Sequence, residues 1–425
     1  MKHRMIKNIV RTVCFLLVFV FVLGKTCRLF ERKDSVERYS EFWEQPKDYD
    51  VWLFGTSHMR YGVQPMDLWN DYGIRSYNLA APSSYLPQVY WTLRCALNYA
   101  TPKVVVVDCY HVEGNTKTWE DDRIEKVHTG FDSIPFSATK LRAVFDIFDT
   151  TETRIEYLFG FYSYHNRWEE LEKNDFEPDY LVTKGSFLSD VVSEPFNNQS
   201  IPETDASKEE VLGHVYLRKI IEECQKQDVP LVLTAIPSYT ENDVQPALNK
   251  VTEIAAEYHV PFLNMIYDES LAFDYPFDFQ DCGHVNKAGS KKVTRYIGDY
   301  LTERFDLPKE FPEDTVQEWD DGYTRFQTKI KKRLNQIKSL PSYLAWLAEE
   351  DYSVSVYLED AFAAENTASL EPLLKRLPGL KTVSLTEMND LLGTECAGNS
   401  AVYVQDPLTG ETIDAAVFQN GVRMR

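Results

Sequence analysis

The sequence predicts an α/β protein, with a parallel sheet in a three-layer α/β/α arrangement. Three observations carry that expectation. Short β-rich apolar runs alternate with segments whose apolar residues recur at helical spacing, the pattern of a parallel sheet wrapped by helices. One run, Val104–Val107, is four consecutive valines, as a strand covered on both faces requires. Residues able to do chemistry gather where the runs end, at Gly55-Thr56-Ser57, at Asp108 to His111 and at Asp281-x-x-His284. Those exits are where open parallel sheets bind ligands.

In order along the chain, Lys2, Arg4, Lys7 and Arg11 precede an apolar run from Val13 to Leu23, closed by Gly24 and Lys25. A basic start followed by an apolar run is the grammar of a signal or a signal anchor. We expect an uncleaved membrane helix over 1–25, with Ile9 and Val10 extending the run, and the remainder of the chain outside the cytoplasm. Residues 26–48 are polar and are expected to form a stalk or a short helix. The main domain is expected over 49–307. Its strands are Val51–Phe54, Arg75–Leu79, Val104–Val107, Pro230–Ala235 and Pro261–Met265, its later helices fall near 208–227 and 244–258, and the chain after Asn286 is helical with Val293, Tyr296, Ile297, Tyr300 and Leu301 on one face. Between them, 112–205 reads as a helical insertion rich in aromatic residues (Trp119, Phe131, Tyr157, Phe161, Tyr162, Tyr164, Trp168), which either line a sugar pocket or pack a helical core. Residues 308–344 read as a polar linker to about Asp321 and then a basic helix. A small α/β accessory domain follows over 345–425, with strands at 353–358 and 381–385, a helix at 369–377, and a hairpin turning through Thr409-Gly410.

The chain has 425 residues, 44% of them hydrophobic, and a net charge of -21. Nucleic-acid binding needs clustered Lys and Arg in a basic surface, and with so acidic a balance nucleic acid is not an expected partner. Seven widely spaced cysteines form no disulfide framework. No cofactor is expected from any motif.

The chemistry centres on Ser57. A serine hydroxyl needs a base to take its proton, usually a histidine oriented by a carboxylate. Asp281 and His284 lie three residues apart in a loop that opens a helix, so the aspartate can fold back on the imidazole, fix its tautomer through Nδ1 and leave Nε2 for Ser57. His58, although adjacent to Ser57, is expected to point away from it. Rival readings use the same region. Cys109, His111, Cys282 and His284 are zinc-type ligands in an unusual spacing, and Cys109 with Cys282 is a candidate disulfide. His165 to Trp168 is a candidate substrate-binding cluster, and Asn198-Gln199-Ser200 matches a glycosylation triplet.

Gly55-Thr56-Ser57, Asn78-Leu-Ala-Ala-Pro-Ser83, the Val104–Asp108 strand and Asp281-x-x-His284 together resemble the SGNH (GDSL-type) hydrolase superfamily over about Asp50 to Phe305. With the N-terminal apolar segment, the chain looks closest to the membrane-tethered branches, such as the D-alanyl transfer proteins of teichoic-acid synthesis and the alginate-type O-acetyltransferases. The resemblance implies a flavodoxin-like sheet and an acyl-serine intermediate, with Ser57 as nucleophile, His284 as base and Asp281 as its orienting acid. It also implies that the partner is a cell-surface carbohydrate or acylated polymer, with a membrane acyl-donor protein as a further candidate. Three positions depart from the family pattern. Thr56 replaces an aspartate, and the oxyanion glycine falls on Ser83, five residues after Asn78. The oxyanion asparagine falls near Tyr110 or His111. Asn78, Ser83, Tyr110 and His111 are therefore the expected oxyanion and substrate contacts. A non-catalytic surface protein on the same scaffold is the class alternative. In the accessory domain, Tyr357 to Phe362 and the Gly379 turn resemble the small interleukin-like EMT-inducer type of domain, which implies carbohydrate binding or partner docking.

Overall fold

The computed structural model describes residues 2–118, 124–159, 162, 164–176, 180–193, 204–238, 244–275, 277–396 and 398–424. Five parallel strands, β1 (Val51–Phe54), β2 (Ser76–Asn78), β3 (Val104–Asp108), β4 (Leu231–Ala235) and β5 (Phe262–Asn264), form a sheet in the order β2-β1-β3-β4-β5. The order reverses at β1, so the exits of β1 and β3 lie side by side, with Phe54 opposite Val107. In such a sheet this is the topological switch point.

Both faces of the sheet are covered, and successive residues of each strand divide between two apolar clusters. Trp52, Phe54, Val105, Val107, Leu231 and Leu233 pack with helix residues Leu93, Leu217 and Ile254. Val51, Leu53, Val104, Val106 and Val232 pack with Met59, Leu68, Val293 and Ile297. This period-2 division explains the runs of consecutive apolar residues, because a strand with two covered faces has no side to spare for polar groups.

The N-terminal helix runs Lys2–Phe30, and its segment Arg4–Phe30 is long and apolar enough to cross a membrane. Of the two expectations for 26–48, a stalk or a short helix, the residues just after it form the helix. Val36–Glu44 is a helix whose Tyr39, Phe42 and Trp43 are buried, and Phe42 packs against Tyr49, Trp52 and Tyr77 at centroid distances of 5.1–5.9 Å. Arg38 is also buried and donates to the Ser186 carbonyl at 2.8 Å. The spacing Tyr39, Phe42, Trp43 puts the three rings on one helical face.

The insertion is helical, including Ile124–Phe131, Ala138–Ile147 and Thr151–Leu158. Its buried rings pack on one another: Tyr157 stacks on Phe148 at 4.0 Å, and Phe131 meets both edge-on. These buried rings form a helical core, while Tyr162 and Trp168 are exposed. Trp119, Phe161 and the Asn198–Ser200 triplet lie outside the described residues.

The expected linker before Asp321 is corrected. Pro312 caps one helix, Glu313–Leu334, with Glu313 and Asp314 in its first turn. Its Trp319 packs between Tyr49 and Trp69, and Trp69 donates its indole N–H to Asp320 at 2.9 Å. A further helix, Leu340–Leu347, leads into a second sheet of β6 (Ser353–Tyr357), β7 (Gly379–Thr382), β8 (Ser400–Gln405), β9 (Thr412–Gln419) and β10 (Val422–Arg423) in the order β10-β9-β8-β6-β7. The expected helix at 369–377 instead spans Asp360–Leu374, and Leu385–Leu392 is a further helix, opened by the capping box of Ser384 and Glu387.

The accessory domain is not a loose appendage. Val354, Val402 and Phe418 belong to the same apolar cluster as Trp52 and Phe54. Four buried charges also cross the junction: Glu350 binds Lys287 (2.5 Å) and Lys291 (3.4 Å), and Lys291 binds Asp67 at 3.2 Å.

Candidate active site

The site begins with the way β1 ends. Gly55 has φ +145°, and a Cβ there would lie 2.8 Å from the Cβ of Asp108 and 3.2 Å from that of Met59. Only glycine lets β1 leave the sheet so close to β3. Thr56 then caps the helix Ser57–Gly62, its hydroxyl accepting the His58 N–H at 3.2 Å. Ser57 is the first residue of that helix. The far end of the helix is clasped by Asn78, whose amide donates to the carbonyls of Met59 (2.9 Å) and Val63 (3.0 Å) and accepts from the Ala80 N–H.

The second half of the site is a short hairpin before the helix Lys287–Arg304. Phe279 and Val285 form an antiparallel bridge, and the Gln280 N–H binds the His284 carbonyl at 2.9 Å. Asn286 caps the helix through the N–H groups of Ala288 and Gly289, while its amide donates to the carbonyl of Phe277 at 2.7 Å. Asp278, fully buried at the root of the hairpin, accepts from Lys292 at 2.9 Å and from Arg376 of the accessory domain at 2.5 Å. The hairpin is thus braced at its root and at the start of the helix it opens.

These two elements meet. His284 Nε2 lies 2.7 Å from Ser57 Oγ, across 227 residues of sequence. On the other side of the ring, Nδ1 lies 2.9 Å from Asp281 Oδ1 and 3.1 Å from Oδ2. A carboxylate accepts, so Nδ1 carries the proton and Nε2 is left to accept from the serine hydroxyl. Asp281 Oδ1 also accepts the N–H groups of Gly283 and His284, each at 2.8 Å. Burial alone would raise the Asp281 carboxyl. The hydrogen bond and charge of His284, with the two backbone N–H groups, outweigh it and hold the carboxyl below its ordinary value.

His58 turns away from Ser57. Its ring stacks on Tyr110 at 3.6 Å and meets His284 edge-on at 5.0 Å. Burial, then the neighbouring His284 and His111, push its pKa well down, so it is neutral. The other side of His284 faces Tyr61, with centroids 5.2 Å apart, a contact nothing in the sequence signalled. His111, at φ +64°, pairs its Nδ1 with Glu113 at 3.0 Å, and its ring lies against Tyr110 and Tyr85. Ser83, also left-handed at φ +55°, follows Ala81, whose N–H binds the Gly55 carbonyl at 3.2 Å. Ser83 is thereby kept near the β1 exit.

Four of the expected assignments are revised by this geometry. Asn78 is fully buried and both its amide hydrogens are spent on carbonyls, so it supports the Ser57 helix instead of facing a substrate. Cys109 and Cys282 are not a disulfide: both are free, Cys109 buried and Cys282 exposed. Burial pushes the Cys109 thiol well up. Among the described residues no group of three His, Cys, Asp or Glu is arranged to hold a metal, which removes the four-ligand zinc reading. Arg167 does not bind at the site either; it pairs with Asp175 at 2.9 Å and with the Phe30 carbonyl at 2.6 Å. A small cavity lined by Phe54, Gly55, Ala81, Ser84 and Phe131 lies beside the β1 exit without including Ser57 or His284. No protein-family model matches the chain, and no curated protein matches it.

Proposed function

We propose that the protein is a serine esterase or O-acyltransferase of the SGNH type, working through an acyl-serine intermediate on acyl groups of cell-envelope polysaccharide. The observation that carries the reading is the chain of contacts Asp281–His284–Ser57, with heavy-atom distances of 2.9 and 2.7 Å. Those distances fall within reach for proton transfer from a nucleophile to a base that is itself oriented.

In the proposed reaction, His284 Nε2 takes the hydroxyl proton as Ser57 Oγ attacks the acyl carbonyl. Asp281 stabilises the imidazolium. The tetrahedral intermediate collapses as the ester C–O bond breaks, and the proton on Nε2 passes to the departing alcohol. Water or a second sugar hydroxyl then attacks the acyl-serine, giving up its proton to the same histidine, and as the acyl–Oγ bond breaks that proton returns to Ser57. The backbone N–H of Ser83 and the Tyr110 hydroxyl are the proposed oxyanion donors. Two features favour a bulky polymer over an enclosed small molecule: the Asp281 side chain is 50% exposed, and Cys282 beside it is also exposed. A pendant ester could reach such an open rim without the rest of the polymer entering the fold.

The test is a fluorophosphonate probe on the folded full-length chain, with the adduct located by mass spectrometry. Labelling at Ser57, lost in Ser57→Ala and in His284→Ala, is expected. An intact, folded sample that takes no label would refute the mechanism and favour a non-catalytic binding role. Substrate class is tested separately, with acetylated oligosaccharides against simple aryl esters.

A further inference from the structure

We infer that the helical insertion is a membrane-docking surface that seats the whole domain against the lipid headgroups. The inference rests on reading the N-terminal helix as a span and is independent of the proposed chemistry. The starting point is the end of that helix. Its last carbonyls have no donor partners within the helix itself. The one at Phe30 is taken by Arg167 of the insertion at 2.6 Å, and Arg167 is fixed by Asp175 at 2.9 Å. The short helix Lys173–Phe176 packs against the same helix end. Glu31, one residue on, shares its electrostatic surroundings with Asp132 and Lys140 of the insertion.

Large apolar side chains surround that attachment and face solvent. Trp168 and Phe176 adjoin the two members of the Arg167–Asp175 pair. Phe136 lies two residues beyond Ile134, whose carbonyl accepts from Lys140 at 2.6 Å. All three are 62–70% exposed. Rings of this kind are enriched at membrane–water boundaries.

The dimensions agree. The apolar run ends at Leu23, and the seven residues from there to Phe30 rise only ~10.5 Å. The headgroup region on each side of a bilayer is ~5–7 Å deep. Arg167 therefore grips the helix a few Å beyond the outer edge of the headgroups, and long side chains beside it are within reach of them. Glu169, Glu170 and Glu172 lie on the same segment, so the attraction is apolar and not electrostatic. It should persist at high salt.

The experiment uses full-length protein in phosphatidylcholine vesicles. The reporter is the emission that disappears in Trp168→Phe, measured with lipid brominated high on the acyl chain. A second protein, Val18→Trp in the Trp168→Phe background, reports on the span with deeply brominated lipid. The Trp168 component is expected to fall about twofold, at low and high salt alike, because docked interfacial side chains sit ~5–10 Å into the headgroup–acyl boundary. Quenching at Val18→Trp with none at Trp168, together with free access of acrylamide to Trp168, leaves the span and overturns the docking. Shielding of Trp168 from acrylamide and brominated lipid alike means a protein partner or second copy covers the patch, and also overturns it. No quenching at Val18→Trp removes the span and the docking together.

Discussion

The role given to Asp281 can be tested with one substitution. In Asp281→Asn the carboxamide oxygen can still accept the N–H groups of Gly283 and His284, so the hairpin holds its shape. What is lost is the negative charge 2.9 Å from Nδ1. At about that separation, two unit charges interact by ~1.4 kcal/mol in water and ~6 kcal/mol at an effective dielectric of 20. The Asp281 side chain is 50% exposed, which places it between the two. Taking ~3 kcal/mol, and ~1.4 kcal/mol per tenfold in rate, kcat/KM should fall about 10²-fold. That is well short of the ~10⁴-fold seen where a triad carboxylate is buried. The assay is hydrolysis of an aryl acetate beside the fluorophosphonate labelling rate, both with Ser57→Ala as the blank. Labelling should slow in parallel, because the same imidazolium forms in both reactions. An Asn variant within about threefold of wild type, with the blank dead, would mean that His284 needs no oriented carboxylate and the reasoning fails.

Two further perturbations address the scaffold. Glu350→Ala leaves Lys287, whose side chain is 2% exposed, without its 2.5 Å partner, and should cost ~3–5 kcal/mol in urea unfolding; a loss under ~1 kcal/mol would show that the junction charges are not coupled. Burial pushes the Asp108 carboxyl up to about 7, against the N–H groups of Ile236 and Tyr110. The folded protein then holds a proton that the unfolded chain, with a carboxyl near 3.9, has released. The stability this group contributes should therefore be full below about pH 4, decline towards pH 7 by up to ~4 kcal/mol, and level off above it. Asp108→Asn should flatten that decline in a pH series of melting curves, and an unchanged slope would assign it elsewhere.

The parts of the fold visible in the sequence are those set by local periodicity. β1, β3 and β4 are apolar runs closed by residues that cannot continue a strand. The DxxH loop shows because its two chemical groups and the cap Asn286 lie within six residues. What stayed hidden depends on partners far away. Arg38 is buried because Ser186 offers a carbonyl 148 residues on, and read locally it made 26–48 look like a polar stalk or short helix. The acidic, proline-containing start of Glu313–Leu334 read as linker, although a proline cap with acids in the first turn is also how a helix begins. Asn78 was picked out as the residue that ends β2. Only the carbonyls of Met59 and Val63 reveal that its amide is already occupied.

The missing stalk has a consequence for how the protein searches its surroundings. The chain leaves the N-terminal helix at Phe30 and is buried again by Ser35. The connection is short, so under the proposed function a span would carry the Ser57 hydroxyl at one height. Substrate would then be met by sliding in a plane, and a polymer would have to come within reach of that plane. Lengthening the connection, more than changing the serine, would alter which substrates come within range.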